Sequence, residues 1–345
     1  MKLLIFTQTI DMNDPILGFF VRWVAEFDKH CEQVHVCALN VGEYKLPENV
    51  TVHCLGKSEK KPKWVWLWRT WKLSWQLRKE YDATFVHMNP EYVVYAGLLW
   101  RLLGKRISMW YAHGAVNFIL RLATLFTHTV FTSTEQGFRL ESHKRAIVGQ
   151  GIDTEHFKPD PNRKQDSRLE LVTVGRISPA KDITTLIETC RILKEKEINF
   201  HFKIVGAPQH PEERVYQDSL EALINKYQLS DEIKFIGSMS QRELPDTLRK
   251  ADIFISAGQT GSLDKALLEA LACGIITMSC NESFSTFAQP FTETFCFPRG
   301  GAGQLSKLII NLNETDVSES VNQLRTRIHE AHSIESLIGK IIQKL

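Results

Sequence analysis

Short β-rich runs alternate with longer helical stretches along this chain, and the alternation starts twice. In the first half the strand candidates are Lys2–Thr7, Gln33–Leu39, Thr84–Met88, Ile107–Ala112 and Thr129–Ser133. Leu17–Lys29, Trp64–Glu80, Tyr92–Leu103 and Val116–Phe126 have helical spacing. A polar stretch from Phe157, FKPDPNRKQDSRL, has two prolines and no periodicity, and reads as a linker. The pattern resumes with LELVTVG, FHFKIVG, EIKFIG, DIFISA and GIITMS, separated by helical segments. Such alternation forms parallel sheets covered on both faces. The sequence thus predicts an α/β protein of two doubly wound, Rossmann-like domains, 1–156 and 169–325, joined by a linker over 157–168. Residues 326–345 read as a helix packing back on the first domain. Ligands of open α/β sheets sit at the carboxyl ends of strands, so the expected site is a cleft where the two sheets face each other.

Composition narrows the class. The 345 residues are 43% apolar and 24% charged, which is ordinary for a globular protein with a core in each half. The seven cysteines are an odd number with no Cys-x-x-Cys, so neither a complete disulfide set nor a zinc ribbon is expected. Reduced thiols and a cytoplasmic location follow. Leu3–Phe6 is too short for a signal h-region and reads as a first strand. No apolar run reaches the ~18 residues of a spanning helix. A net charge of +2 argues against a nucleic-acid partner. That figure hides an asymmetry: residues 1–150 hold 19 Lys+Arg against 13 Asp+Glu, and the remainder 23 against 27. The first half is therefore the one suited to an anionic surface.

Four motifs carry chemistry. In VGRISPAKD (174–182) a strand ends and a helix begins, with Ser178 as the expected N-cap and Pro179 at the first helical position. Arg176 and Lys181 place two cations at a helix end whose dipole favours anions. An anion such as a diphosphate between them explains both; solvated surface cations are the alternative. In QTGSLDKALLEALACG (259–274) the small residues Thr260, Gly261 and Ser262 form a turn whose backbone N–H groups suit a phosphate or sugar. Glu269, among apolar residues that include Leu268, needs a partner. That partner is a ribose diol or a structural salt bridge. His113, in YAHG, stands at the carboxyl end of a strand, and Gly18 lies in the loop after the first strand. Gly18 allows close approach of a ligand, or only starts a helix. GQGIDT (149–154) lacks the third glycine of a dinucleotide fingerprint, and RGGAG (299–303) lacks the Lys-Ser/Thr of a P-loop, so both read as turns. With no His-Glu-x-x-His and no Asp-x-Asp, no metal site is expected.

KKPKWVWLWRTWKLSWQLRKEY (60–81) holds five of the eight tryptophans, and eight Lys/Arg run from Lys57 to Lys79. Trp64, Trp68, Trp71 and Trp75 follow helical spacing. Aromatics beside cations fit a helix lying in a membrane interface. A core-facing helix with a solvated basic edge fits the same spacing.

Taken in order, GQGIDTEHFKP, VGRISPAKD, FKIVG, IKFIGSMSQRELPDTLRKADIFIS and GSLDKALLEALACG resemble glycosyltransferase family 4, retaining enzymes of the GT-B fold. The resemblance is strong over 145–280, weaker over 1–145, and fades after about 300. It implies that Arg176 and Lys181 hold the donor diphosphate, that Glu269 binds the ribose, and that His113 lies near the transferred sugar. Gly18 would lie by the diphosphate and acceptor, and the segment 236–239, with Gly237 and Met239, by the nucleobase. Ser262 and Leu268 complete the implied donor set. The family's first glutamate falls on Gly261 here, and Asp264 in the same loop is its expected substitute. The implied reaction moves a hexose from a nucleotide diphosphate sugar to a lipid-linked or cell-surface saccharide, with no metal or other cofactor. The implied partners are that donor, a glycan or glycolipid acceptor, and an anionic membrane touched through residues 60–80 at its cytoplasmic face. A GT-B-fold sugar epimerase and a catalytically degenerate nucleotide-sugar-binding protein are the competing readings.

Overall fold

The computed structural model describes residues 1–57, 59–163, 167–258, 262–312 and 315–345. The chain divides into two compact units. One is Met1–Gly151 with Ser240–Arg242 and Ala331–Leu345; the other is Ile152–Met239 with Glu243–Glu330.

The first unit contains a parallel sheet of β1 (Lys2–Ile10), β2 (Gln33–Val41), β3 (Val50–Cys54), β4 (Ala83–His87), β5 (Arg106–Trp110), β6 (Thr129–Thr132) and β7 (Arg145–Ile147). Their order is β3-β2-β1-β4-β5-β6-β7. Successive residues of β1 face opposite sides, as the pleat requires. Leu3 and Ile5 enter one core, Leu4 and Phe6 the other. That is why the strand reads as an unbroken apolar run. Helices α1 (Phe20–Asp28), α2 (Lys63–Gln76), α3 (Pro90–Leu102) and α4 (Phe118–Phe126) cover the faces. β3 and β7 were not expected: each is a short edge strand, half exposed, and lacks the apolar run of a central strand.

The second unit's parallel sheet runs β10-β9-β8-β11-β12. Its strands are β8 (Leu169–Val174), β9 (Phe200–Val205), β10 (Ile233–Gly237), β11 (Ile253–Ser256) and β12 (Ile276–Ser279). Its main helices are α5 (Ile183–Glu195), α6 (Pro211–Lys226), α7 (Leu244–Lys250) and α8 (Lys265–Ala272). Strand order reverses at β1 in one sheet and at β8 in the other, which opens a crevice at the carboxyl edge of each. Phe157, at the head of the stretch read as a linker, is buried in this unit's core. The last helix, Ile334–Ile342, returns to the first unit, where Leu337, Ile338 and Ile341 pack with Trp23 of α1. Gly149 and Gly151 of GQGIDT serve that packing. A Cβ on Gly151 would lie 2.6 Å from the Trp23 ring, and one on Gly149 would lie 2.1 Å from the Ala331 carbonyl oxygen.

Candidate donor site

In the second unit, three neighbouring strands end in glycine at the carboxyl edge. Gly175, Gly206 and Gly237 have φ of 153°, 143° and 83°. A Cβ on Gly206 would lie 1.9 Å from the Gly175 carbonyl oxygen, and one on Gly175 would lie 2.8 Å from Cε of Lys181. Only glycine lets these backbones abut and leaves room for the lysine.

Lys181 closes a 3₁₀ turn, Pro179–Lys181, that precedes α5. That turn displaces the helix start. Ser178 makes no capping hydrogen bond; Asp182, at φ 45°, caps α5 through its carboxylate, which accepts from Thr185 N. Lys181 Nζ lies 2.6 Å from Asp264 Oδ2, which also accepts from Ser256 Oγ at 3.2 Å. Asp264 Oδ1 accepts from Ala266 N at 3.2 Å and so caps α8. One carboxylate thus joins the end of β11, the start of α8 and the Lys181 ammonium.

Arg176 is held in the same way. Its Nε lies 3.2 Å from Glu213 Oε1. Glu213 Oε2 accepts from Gln209 N at 2.8 Å and His210 N at 3.3 Å, in a capping box at the start of α6. Burial pushes the Glu213 carboxyl up, but the Gln209 N–H, the Arg176 guanidinium and the His210 N–H outweigh it, and its pKa falls below the usual value. Arg176 and Lys181 are therefore each paired with a helix-capping carboxylate, Lys181 the less exposed of the two. Sequence spacing gave no sign of Glu213 as a partner, because it lies on a separate helix.

Glu269 is buried in α8, with Lys265 Nζ 3.6 Å from its Oε1. Desolvation lowers the Lys265 pKa against the pull of Glu269 and Asp153. The structural salt bridge weighed for Glu269 thus exists, one turn away. Leu268 is wholly buried, and its side chain packs in the core. The Ser262 carbonyl accepts from Asn281 Nδ2 at 3.0 Å. Gly261 and Thr260 lie outside the described residues. At Gly237 the space a Cβ would take is open, and Met239 packs partly on the core, its sulfur accepting from Thr247 Oγ1 at 3.3 Å.

His113 and Gly18 belong to the first unit. His113 is exposed in the loop after β5, and its Nδ1 accepts from Ala115 N at 3.2 Å. A neutral ring then carries its proton on Nε2. Gly18 is buried, and a Cβ there would lie 2.6 Å from the Asp14 carbonyl oxygen. The close approach it permits is to its own loop. Sequence reading also missed a cavity of about 240 Å³ between α2 and α3, lined by Gln8, Leu39, Trp66, Asn89, Glu91 and Tyr95 among others. Trp66 Nε1 is buried and has no hydrogen-bond partner among the described residues.

The family model for glycosyl transferases group 1 matches residues 154–331. The putative colanic acid biosynthesis glycosyltransferase WcaL of Escherichia coli (strain K12) is 28% identical over 183 residues, 51% of this chain and 44% of its own length. The amylovoran biosynthesis glycosyltransferase AmsK of Erwinia amylovora is 25% identical over 216 residues, 59% of this chain and 52% of its own. A human phosphatidylinositol N-acetylglucosaminyltransferase subunit is 28% identical over 160 residues, 44% of this chain and 32% of its own. The chain thus matches about half or less of these relatives. Among solved structures, Anabaena HepE in complex with UDP and glucose superposes with a TM-score of 0.77 at 15% identity, covering 100% of this chain and 99% of that one. Sucrose-phosphate synthase from Thermosynechococcus elongatus superposes with a TM-score of 0.79 at 13% identity, covering 100% and 98%. At such identities the likeness is one of fold, two Rossmann-like halves of the GT-B type.

Proposed function

Because this chain belongs to the group 1 glycosyl transferases, we propose that it transfers a hexose, with retention, from a nucleotide diphosphate sugar to a glycan or glycolipid acceptor. The observation that carries this reading is the pair of cations, Arg176 and Lys181, braced by Glu213 and Asp264 at a carboxyl sheet edge. Cations fixed before the reaction stabilise charge that develops on a leaving diphosphate without reorganising.

In the proposed step the acceptor hydroxyl attacks the anomeric carbon on the face the phosphate leaves. The new C–O bond forms as the bond to the phosphate oxygen breaks, and that oxygen takes the acceptor's proton. Lys181 and Arg176 offset the charge, so the step requires no metal. Glu269 is assigned to the ribose, Gly237 and Met239 to the base, and His113 to the transferred sugar. Ser262 is assigned to the diphosphate, and Gly18 to the diphosphate and acceptor. HepE, solved with UDP and glucose, supports the donor class. WcaL and AmsK, named for colanic acid and amylovoran biosynthesis, support a saccharide acceptor, and the phosphatidylinositol N-acetylglucosaminyltransferase subunit supports a lipid-linked one. We assign the acceptor saccharide to the cavity between α2 and α3. Its aromatic walls can stack on a sugar face, and a sugar hydroxyl would satisfy the buried Trp66 N–H.

The test is release of nucleotide diphosphate from a panel of nucleotide sugars, with and without glycan acceptors. Acceptor-stimulated release with the anomeric configuration kept is the expected result. Release of an epimerised nucleotide sugar, or tight binding with no turnover on any donor, would overturn the reading.

A further inference from the structure

Helix α2 turns four of its five tryptophans outward. Its buried residues are Thr70 and Ser74, whereas Trp64, Trp68, Trp71 and Trp75 are 45 to 69% exposed. A surface helix of a soluble protein does the reverse. The two fully buried hydroxyls are satisfied, and Trp66 and Leu73 beside them pack partly on the core. Thr70 Oγ1 donates to the Trp66 carbonyl at 2.8 Å, and Ser74 Oγ accepts from Trp100 Nε1 of α3 at 3.0 Å. With Trp66 and Leu73 taking the inner side, the other four tryptophans of α2 face outward.

The apolar surface extends beyond α2. α3 exposes Tyr95, Leu98 and Leu102, and α4 exposes Phe118 and Leu125; Leu102 is 78% and Phe118 77% exposed. α2 packs on α3, and α3 on α4. The inner residues of α3 and α4 share one core on one side of the sheet, so the outer rows lie side by side. Trp71 Nε1 ties the first two rows by donating to the Tyr95 carbonyl at 2.7 Å. Charge favours one kind of partner. Residues 60–134 hold 11 Lys/Arg against 3 Asp/Glu, and no acidic residue lies between Glu91 and Glu135. Lys72 sits over the Trp68 ring at 4.7 Å and Arg78 over the Trp75 ring at 4.5 Å.

We propose that the α2–α3–α4 face docks this unit on an anionic lipid bilayer. An apolar surface this extended marks an interaction site. Tryptophan and leucine rows beside cations are the composition of a helix lying in the headgroup region, and the basic excess selects anionic lipid. No helix among the described residues is long and apolar enough to cross a membrane, so the contact is peripheral. The docking stands on this surface alone; the transfer reading adds only its purpose, delivery of a lipid-linked acceptor.

The test is co-sedimentation of the full chain with neutral and with phosphatidylserine-containing vesicles, at low and high salt. Wild type should pellet with anionic vesicles at low salt and lose most binding in high salt. Two sets of changes separate the parts of the face: Trp68→Ala with Trp75→Ala in α2, and Leu102→Ser with Phe118→Ser in α3 and α4. Each set should weaken binding by roughly tenfold or more, with unchanged melting temperature and unchanged donor hydrolysis in solution. No pelleting of wild type on anionic vesicles overturns the proposal. Undiminished pelleting of the Leu102/Phe118 variant reduces the contact to α2 and overturns the three-helix face. Dimers in solution that the same substitutions dissociate would make the face a protein interface instead. Donor hydrolysis is read separately, so failure of docking and failure of the transfer reading are distinguishable.

Discussion

The Lys181 ammonium lies 2.6 Å from Asp264 Oδ2, across 83 residues of sequence. Asp264 also caps α8, so the helix start fixes the carboxylate and the carboxylate fixes the lysine. A cation so held does not have to be ordered when a diphosphate arrives, which is the condition for a large electrostatic contribution to catalysis.

Lys181→Ala and Arg176→Ala should each lower kcat by roughly 100-fold, the scale of losing one preorganised charge contact. Asp264→Asn keeps an acceptor for the α8 cap but removes the charge that orients Lys181. It should lower kcat by about tenfold and leave the donor KM within a few-fold. Steady-state kinetics on purified variants checks both. Near wild-type turnover in Lys181→Ala and Arg176→Ala would refute the assignment.

A chelator should leave most of the activity intact, because protein cations carry the role a metal would take. Activity abolished by EDTA and restored by magnesium or manganese is the outcome that contradicts this.

Trp66→Phe keeps the aromatic wall of the α2–α3 cavity and deletes only its buried N–H. It should raise the acceptor KM by roughly tenfold, the scale of one lost hydrogen bond, and leave donor hydrolysis unchanged. An unaltered acceptor KM would remove the saccharide from that cavity.

Burial, and secondarily the Lys340 ammonium, hold the His332 imidazole neutral down to about pH 4. Its unfolded value is about 6.5. The unfolded chain therefore binds the extra proton first, and stability falls as pH drops from about 6.5 to 4. Over that window the loss from this group is roughly 3 kcal/mol. Thermal melts across it should show His332→Asn losing less stability than wild type. Parallel loss in both would place the acid sensitivity elsewhere.

Two glycines should respond in opposite directions. Gly206→Ala puts a Cβ 1.9 Å from a backbone oxygen at φ 143° and should cost about 3 kcal/mol or more. Gly339 lies inside the last helix with nothing within 4 Å of an added Cβ. Gly339→Ala should stabilise by about 0.5–1 kcal/mol. Denaturant titration of both variants checks the signs.

The central strands were legible because strands buried on both faces read as apolar runs. The edges of the first sheet were not: β3 and β7 bury little and leave no such run. Arg176 and Lys181 were legible as cations beside a helix start. A 3₁₀ turn stands at that start: Ser178 and Pro179 open the turn, and Asp182 caps the α-helix that follows.

The 3.6-residue period put Trp64, Trp68, Trp71 and Trp75 on one face of a helix, and only the fold decided that this face points outward. Spacing along a chain determines which side chains share a face, since that follows from local backbone geometry. It does not determine what the face meets. That depends on which other segments arrive there: Trp100 against Ser74, Glu213 beside Arg176, and Asp264 on Lys181. Such pairings join residues far apart in sequence, and only the folded backbone brings them within hydrogen-bonding reach.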